Sequence, residues 1–293
     1  MDVYLDTSHL QKWCQRTLED VELVFLDGLR ENEEYTFVLS NVHIAEVAAC
    51  LHHDAALDTG RFLDTLRHKW LRLSDDIFSL EIGEAFEAFE NGSAPRRINT
   101  FVAAYVDTLV ALDLRNYIAY RRASIEQIIS DLLGQQDITL SGSDAWEARL
   151  STWSRVQWRI NKLMENWRVS VKRRYGDVTA QILTNRHAQG YAELGEREQA
   201  FINALLEKPE WTPSHWITFH SQHQCHRNIG YLWLASDISD VTHLAALPYV
   251  DHMTLDRRWY AYARQALRSA PTSSSVRDLS QRLDRSITDL MTR

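Results

Sequence analysis

The stretch VYLDTS at residues 3–8 combines a short apolar run, one acidic residue and two residues of the types that cap helices. Val3, Tyr4 and Leu5 are typical of a short buried strand, and Thr7 and Ser8 can begin a helix. The pattern therefore predicts a strand, then the acid Asp6, then a helix. This order is the beginning of a βαβ unit, in which parallel strands alternate with helices.

The same order recurs along the chain. A second aromatic and β-branched run is followed by Ser40 and Asn41, which are expected to cap a helix that carries Glu46. The predicted strands are 3–5, 35–39, 77–82 and 249–255, and the predicted helices include 9–29, the segment after Asn41, and 257–268.

Residues between about 84 and 235 show long helical patterns and almost no strand-like alternation. Glycine and proline are scarce, with 10 and 5 in 293 residues, which disfavours a turn-rich β protein. The expected fold class is α/β, with a parallel sheet flanked by helices and interrupted by a mostly α-helical insertion from which no strand joins the sheet. The expected divisions are 1–95, 96–211 for the insertion, and 212–293.

Charge and cysteine content restrict the class of protein. The formal net charge is −8, which opposes non-specific attraction to nucleic acid unless cations are clustered locally. Cys14, Cys50 and Cys225 form an odd set without metal-ligand spacing, so we expect a reducing, cytoplasmic setting. The first residues do not resemble a signal peptide, and no membrane span or membrane partner is expected.

Four acids follow strands or begin helices at positions that can converge. Asp6 and Asp256 each come after a predicted strand, Glu46 lies on the helix after the second strand, and Asp240 is expected to open the helix that precedes the strand at 249–255. Ligands of open α/β sheets bind outside the carboxyl ends of the strands. Clustered carboxylates repel one another unless a cation neutralises them, so these acids predict a site for Mg²⁺ or Mn²⁺.

These segments resemble the PIN-domain nucleases. The similarity lies in VYLDTS at the start, LSNVHIAE at 39–46, DVTHLAALPYVD at 240–251 and MTLD at 253–256, in the order typical of that family. The resemblance implies that Asp6, Glu46, Asp240 and Asp256 are the metal-binding catalytic acids. Asp251 and Asp237 are weaker candidates for accessory acids. Thr254 is expected either to orient a carboxylate or a metal-bound water, or to be an ordinary strand threonine.

The resemblance further implies a phosphodiester hydrolase, an endoribonuclease with RNA as substrate or a nuclease acting on DNA. The alternatives are a PIN-like module that binds nucleic acid or protein without catalysis, and a phosphatase for small phosphate esters. Retention of all four acids favours the enzyme. A homo-oligomer, an inhibitory partner protein and a toxin role all stay open at this point.

Residues 146–174 are strongly basic in a chain whose net charge is negative. The tryptophans of this stretch fall near one helical stripe, which leaves Arg155, Arg159 and Lys162 on the more exposed side. Such a face could follow a phosphate backbone. The other interpretation is an amphipathic helix whose tryptophans are buried and whose arginines are only solvated.

Overall fold

The protein has an α/β fold built on one mixed sheet. The computed structural model describes residues 1–50, 52–108, 121, 123–137, 196–227 and 236–292. Within these ranges the strands are β1 (Asp2–Tyr4), β2 (Thr36–Leu39), β3 (His68–Leu71), β4 (Phe101–Val102), β5 (His252–Thr254) and β6 (Leu283–Asp284). Their order in the sheet is β4-β3-β2-β1-β5-β6, and only β4 is antiparallel to its neighbour.

Helices surround this sheet on both faces. Those that the structure describes are α1 (Thr7–Cys14), α2 (Asp20–Glu31), α3 (Asn41–Ala48), α4 (His53–Asp64), α5 (Ser74–Asn91), α6 (Ile125–Asp137), α7 (Glu196–Glu207), α8 (Pro213–Arg227), α9 (Ser236–His243), α10 (Arg257–Ser269) and α11 (Ile287–Met291). None of the helices in the described ranges is both long enough and apolar enough to cross a membrane.

The strand order reverses direction at β1. The chain proceeds from β1 to β2 and β3 on one side, then returns to place β5 and β6 on the other side. Val3 is paired with Phe37 of β2 and with His252 of β5, so β1 lies between two parallel neighbours. In open α/β sheets a crevice forms outside the carboxyl ends of the strands where the order reverses. The strand order therefore places the expected crevice between β1 and β5.

Successive residues of the central strands pack into two different hydrophobic clusters, one on each face of the sheet. Val3 and Leu5 pack with the hydrophobic cluster on one face of the sheet, whereas Tyr4 packs with the cluster on the other face. All three are at most 1% exposed. A strand that is buried on both faces reads as a continuous apolar run, which is why the first six residues already predicted it.

The third predicted strand, at 77–82, is wrong. These residues belong to α5, in which Ile77, Glu81, Ala85 and Ala88 are buried at helical spacing. The actual third strand is His68–Leu71, whose first two residues are polar and only partly buried. Its apolar signal is therefore two residues long, too short for alternation to be recognised.

The single helix predicted over 9–29 is two helices. Arg16 adopts a left-handed backbone conformation, with φ of 56°, directly after α1. Glu19 then begins α2 through a capping box with Glu22. The apolar spacing continues across this break because both helices cover the same core, which contains Leu10 and Leu26.

The expectation that the insertion adds no strand to the sheet is also wrong. Phe101 and Val102 form β4, which pairs with Leu71 and Trp70 of β3 and extends the sheet at its edge. Two paired residues produce no detectable alternation. Elsewhere the described parts of 96–211 include the helices α6 and α7, and α6 packs closely on α4, where Gly60 faces the backbone of Glu126. The basic stretch 146–174 lies outside the described residues.

Candidate active site

Asp6 and Asp256 occupy equivalent positions at the ends of neighbouring strands. Each comes two residues after its strand and caps the helix that follows. Asp6 Oδ1 accepts the backbone N–H of Ser8 at 2.9 Å, and Asp256 Oδ1 accepts the backbone N–H of Trp259 at 2.7 Å. Because β1 and β5 are parallel neighbours, the two carboxylates share the carboxyl edge of the sheet.

Helix α9 brings two further acids to the same place. Asp237 is fully buried and accepts a hydrogen bond from the indole N–H of Trp259 at 3.0 Å. Arg258, in the first turn of α10, lies among three of the acids. Its Nη2 is 3.3 Å from Asp237 Oδ1, 3.7 Å from Asp240 Oδ2 and 3.6 Å from Asp256 Oδ2. Carboxylates from α9 and from the end of β5 thus converge on one cation.

The ionisation of Asp240 reports how strongly negative this crevice is. Burial raises the pKa of Asp240 to about 8, and the carboxylates of Asp256 and Asp6 add to the effect. Burial also raises the pKa of Asp256. Burial and the neighbouring acids thus disfavour the ionised form of Asp240 more than the nearby positive charge favours it.

Glu46 is held by a buried chain of hydrogen bonds. Its Oε2 lies 3.1 Å from Nε2 of His243, whose Nδ1 contacts the hydroxyl of Tyr4. The Tyr4 hydroxyl is also 2.9 Å from Ser40 Oγ, at the start of α3. Burial opposes both charges, but the hydrogen bond between the two groups lowers the pKa of Glu46 and raises the pKa of His243. The contact with His243 therefore fixes the position of the Glu46 carboxylate.

Thr254 acts on Asp6 through the backbone. Its hydroxyl oxygen accepts the backbone N–H of Asp6 at 3.0 Å, and it lies 3.1 Å from Nδ1 of His9. The Thr254 residue is fully buried. It joins the end of β5 to the end of β1 and so holds the two strand ends, and the acids that follow them, in register.

The donor set has the chemistry of a site for a hard divalent cation. All of the acids offer oxygen, and a cation of higher charge would favour the ionised form of Asp240, which burial and the neighbouring carboxylates disfavour. No group of three or more His, Cys, Asp or Glu side chains in the described ranges is arranged to hold a metal ion. The guanidinium is the cation that currently stands among these carboxylates.

Asp6, Glu46 and Asp256 all lie near enough to Asp240 for their charges to raise its pKa, so the four principal predicted acids lie close together. Asp237, a weaker candidate, joins them through Arg258. Asp251 does not: it precedes β5, accepts the backbone N–H of Asp2 at 2.7 Å, and therefore lies at the opposite edge. Its assignment as an accessory acid is wrong, because a residue before a parallel strand and a residue after it are at opposite ends. The predicted cations Arg155, Arg159 and Lys162 lie outside the described residues.

Three contributors to the site were missed in the sequence. His243 follows Asp240 by one helical turn, a spacing that places both on one side of α9. Arg258 follows Asp256 by two residues, and nothing in the sequence distinguishes it from the adjacent Arg257. Tyr4 lies in the strand that was recognised, but nothing in the sequence distinguishes its hydroxyl from that of any other core tyrosine.

The chain finds no match among protein-family models, among curated proteins or among solved structures. Support for a function therefore comes from the residues of the crevice and from their environment.

Proposed function

We propose that this protein is a metal-dependent phosphodiester hydrolase that cleaves RNA through a PIN-like four-carboxylate site. The observation that supports it most is the convergence of Asp6, Glu46, Asp240 and Asp256 at the carboxyl edge where the strand order reverses. Acids that were predicted from separate motifs, far apart in the sequence, share one crevice. A purely structural role offers no reason to concentrate acids in one place, where burial and the neighbouring carboxylates together raise the pKa of Asp240.

Asp6, Glu46, Asp240 and Asp256 would hold Mg²⁺ or Mn²⁺. A bound ion of this type supplies a water of lowered pKa and offsets charge on the attacked phosphate. Asp240 is the acid we assign to orienting or deprotonating the water, since Asp6 and Asp256 are held by backbone N–H groups and Glu46 by His243, which leaves Asp240 for this role. Asp6 and Asp256 are held by backbone N–H groups and so are positioned as ligands before the substrate arrives.

His243 and Tyr4 position the Glu46 carboxylate. His243 bonds Glu46 with one ring nitrogen and contacts the hydroxyl of Tyr4 with the other, so the ring has one fixed orientation. Such support from behind a ligand fixes its geometry and tunes its charge. Neither residue needs to contact the substrate for this role.

The cellular setting is part of the same proposal. Cys14, Cys50 and Cys225 are all within the described ranges and none forms a disulfide, which fits a protein of the cytoplasm. RNA is the proposed substrate, and DNA is the competing one because its phosphodiester presents the same charge to the site. A second copy of the chain or an inhibitory protein is the kind of protein partner that such a nuclease would have.

A cleavage assay tests this function directly. Labelled single-stranded RNA, duplex RNA and DNA are incubated with the full chain in Mg²⁺, in Mn²⁺ and in chelator, and Asp6→Asn is the control. Asparagine caps a helix about as well as aspartate, so the variant should fold while losing one anionic ligand. We expect cleavage only with metal, and a fall of at least about 100-fold in Asp6→Asn.

Three outcomes count against the proposal. Turnover that is unchanged in Asp6→Asn would remove these carboxylates from the chemistry. Metal-dependent binding of RNA without cleavage would favour the silent binding module. Cleavage confined to DNA would keep the mechanism and replace the substrate.

A further inference from the structure

Arg258 lies among the predicted acids without being a predicted ligand or a support behind a ligand. It follows Asp256 at the beginning of α10, and its side chain is 32% exposed. The guanidinium therefore borders both the acids and the solvent from which a substrate would approach. An arginine in this position has access to two classes of anion, carboxylates of the chain and phosphates of a nucleic acid.

Its geometry toward the acids is not that of a tight ion pair. The distances from Nη2 to Asp237, Asp240 and Asp256 are 3.3, 3.7 and 3.6 Å. Charge-assisted hydrogen bonds between arginine and a carboxylate are usually about 2.7–2.9 Å, and the strong ones are bidentate. Toward these three acids, Arg258 acts through the combined charge of the group more than through a close bond to one member.

We propose that Arg258 has two alternative partners: in the metal-free chain it is held among the carboxyl groups of Asp237, Asp240 and Asp256, and in the loaded site it binds the phosphate of the substrate. This inference rests on the proposed nuclease function. A divalent cation held by the same carboxylates would repel the guanidinium and take over its role as counterion. The planar fork of arginine matches two phosphate oxygens, and a nucleic-acid phosphate is then the anion within its reach.

The proposal predicts that one substitution changes two binding constants in opposite directions. In Arg258→Gln the competing positive charge is gone, so Mn²⁺ alone should bind more tightly, by about 3- to 10-fold. Labelled single-stranded RNA should bind more weakly, by about 10-fold or more, when Ca²⁺ replaces Mn²⁺ to limit cleavage. The metal-free variant should also unfold at a lower temperature than the parent, and this difference should shrink when Mn²⁺ is added.

Free Mn²⁺ measured by electron paramagnetic resonance gives the metal affinity without any assay of activity. Fluorescence anisotropy gives the RNA affinity. Arg257→Gln is the matched control, because Arg257 is the neighbouring residue in the same helical turn, carries the same charge and is exposed. It should change either constant by less than about 2-fold. Arg258→Lys keeps the charge but not the fork, so it should restore the Mn²⁺ affinity of the parent and only part of the RNA affinity.

Each contrary outcome would overturn a specific part of the inference about Arg258. Weaker Mn²⁺ binding in Arg258→Gln would show that Arg258 organises the ligands, and unchanged RNA binding would show that it does not bind phosphate. Either result overturns the inference while leaving the nuclease function in place, provided that the parent chain binds Mn²⁺ and cleaves RNA. A parent chain that binds no Mn²⁺ and cleaves nothing would overturn both.

Discussion

Glu81 and Asp240 are buried carboxyl groups in different regions of the molecule, and both have a raised pKa. Glu81, on α5, accepts hydrogen bonds from the backbone N–H groups of Ser214 and His215 at 2.9 and 3.1 Å, and from the hydroxyl of Tyr249 at 2.6 Å. It therefore satisfies the first N–H groups of α8. Burial raises the pKa of Glu81 to about 7, and these hydrogen bonds act in the opposite direction.

The acids near Asp240 raise its pKa, whereas the hydrogen-bond donors near Glu81 lower the pKa of that residue. Burial raises the pKa of Asp240 to about 8, and the next largest causes, the carboxylates of Asp256 and Asp6, raise it further. A raised pKa alone therefore does not identify a functional acid. The useful distinction lies in the groups that face the carboxyl. Hydrogen-bond donors stabilise the folded chain, whereas other acids destabilise it, and such a cost is expected at a functional site.

Matched amide substitutions at the two positions should separate these roles, and Asp240→Asn should have the largest effect. It removes one proposed metal ligand and the group assigned to the attacking water, so RNA cleavage should fall by about 100-fold or more. The free energy of unfolding in chelator should stay the same or rise, since repulsion is relieved. Cleavage rates and chemical denaturation measure both quantities. Full activity in this variant would contradict the assignment of Asp240.

Glu81→Gln should have the opposite pattern of effects, with a loss of stability and little change in cleavage. Glutamine has one acceptor oxygen where Glu81 uses two, so its amide would face a backbone N–H of α8. We expect the free energy of unfolding to fall by about 2 kcal/mol because a buried donor loses its acceptor. Cleavage below the melting temperature should stay within about 2-fold of the parent. A large loss of activity in a folded Glu81→Gln protein would mean that the two regions are coupled.

The change of stability with pH should be smaller than the effects of these two substitutions. Each raised pKa means that the folded chain holds a proton which the unfolded chain has released, so stability falls as the pH rises toward 7 for Glu81 and toward 8 for Asp240. His43 and His220, with pKa values lowered to about 4, act oppositely, but only below about pH 6.5.

Between pH 6.5 and 8.5 we therefore expect the melting temperature in chelator to fall by a few degrees. Glu81→Gln and Asp240→Asn should each make that fall shallower. Mn²⁺ should reduce only the part that depends on Asp240, since it favours the ionised acids of the crevice and not Glu81. A melting temperature that rises with pH across this window would show that the carboxyl groups are not protonated in the folded chain.

Asp251→Asn should have the smallest effect and serves as the control for position. Asp251 is exposed and lies at the other end of β5 from Asp256. Cleavage should change by less than about 2-fold and stability by about 0.5 kcal/mol or less. A loss of cleavage comparable with that of Asp240→Asn would return Asp251 to the site and contradict the separation of the two edges.

Much of the fold could be predicted from local sequence. The strands at 3–5 and 35–39 and the helix after Asp256 are strongly patterned because their residues are buried on both faces or capped by a side chain. The strands β3, β4 and β6 could not be predicted in this way. They are two to four residues long, and their pairing partners are distant in sequence, so their stability comes from the neighbouring strands.

The sequence by itself determined the α/β class, the candidate acids and their attachment to strand ends, since these depend on short-range patterns of burial and capping. Only the tertiary structure decided which acids share the crevice. It includes Asp237, moves Asp251 to the opposite edge, and adds His243 and Arg258. The physical reason is that electrostatic environment depends on distances in space: Asp240 and Asp256 are 16 positions apart in the sequence, yet one guanidinium contacts both.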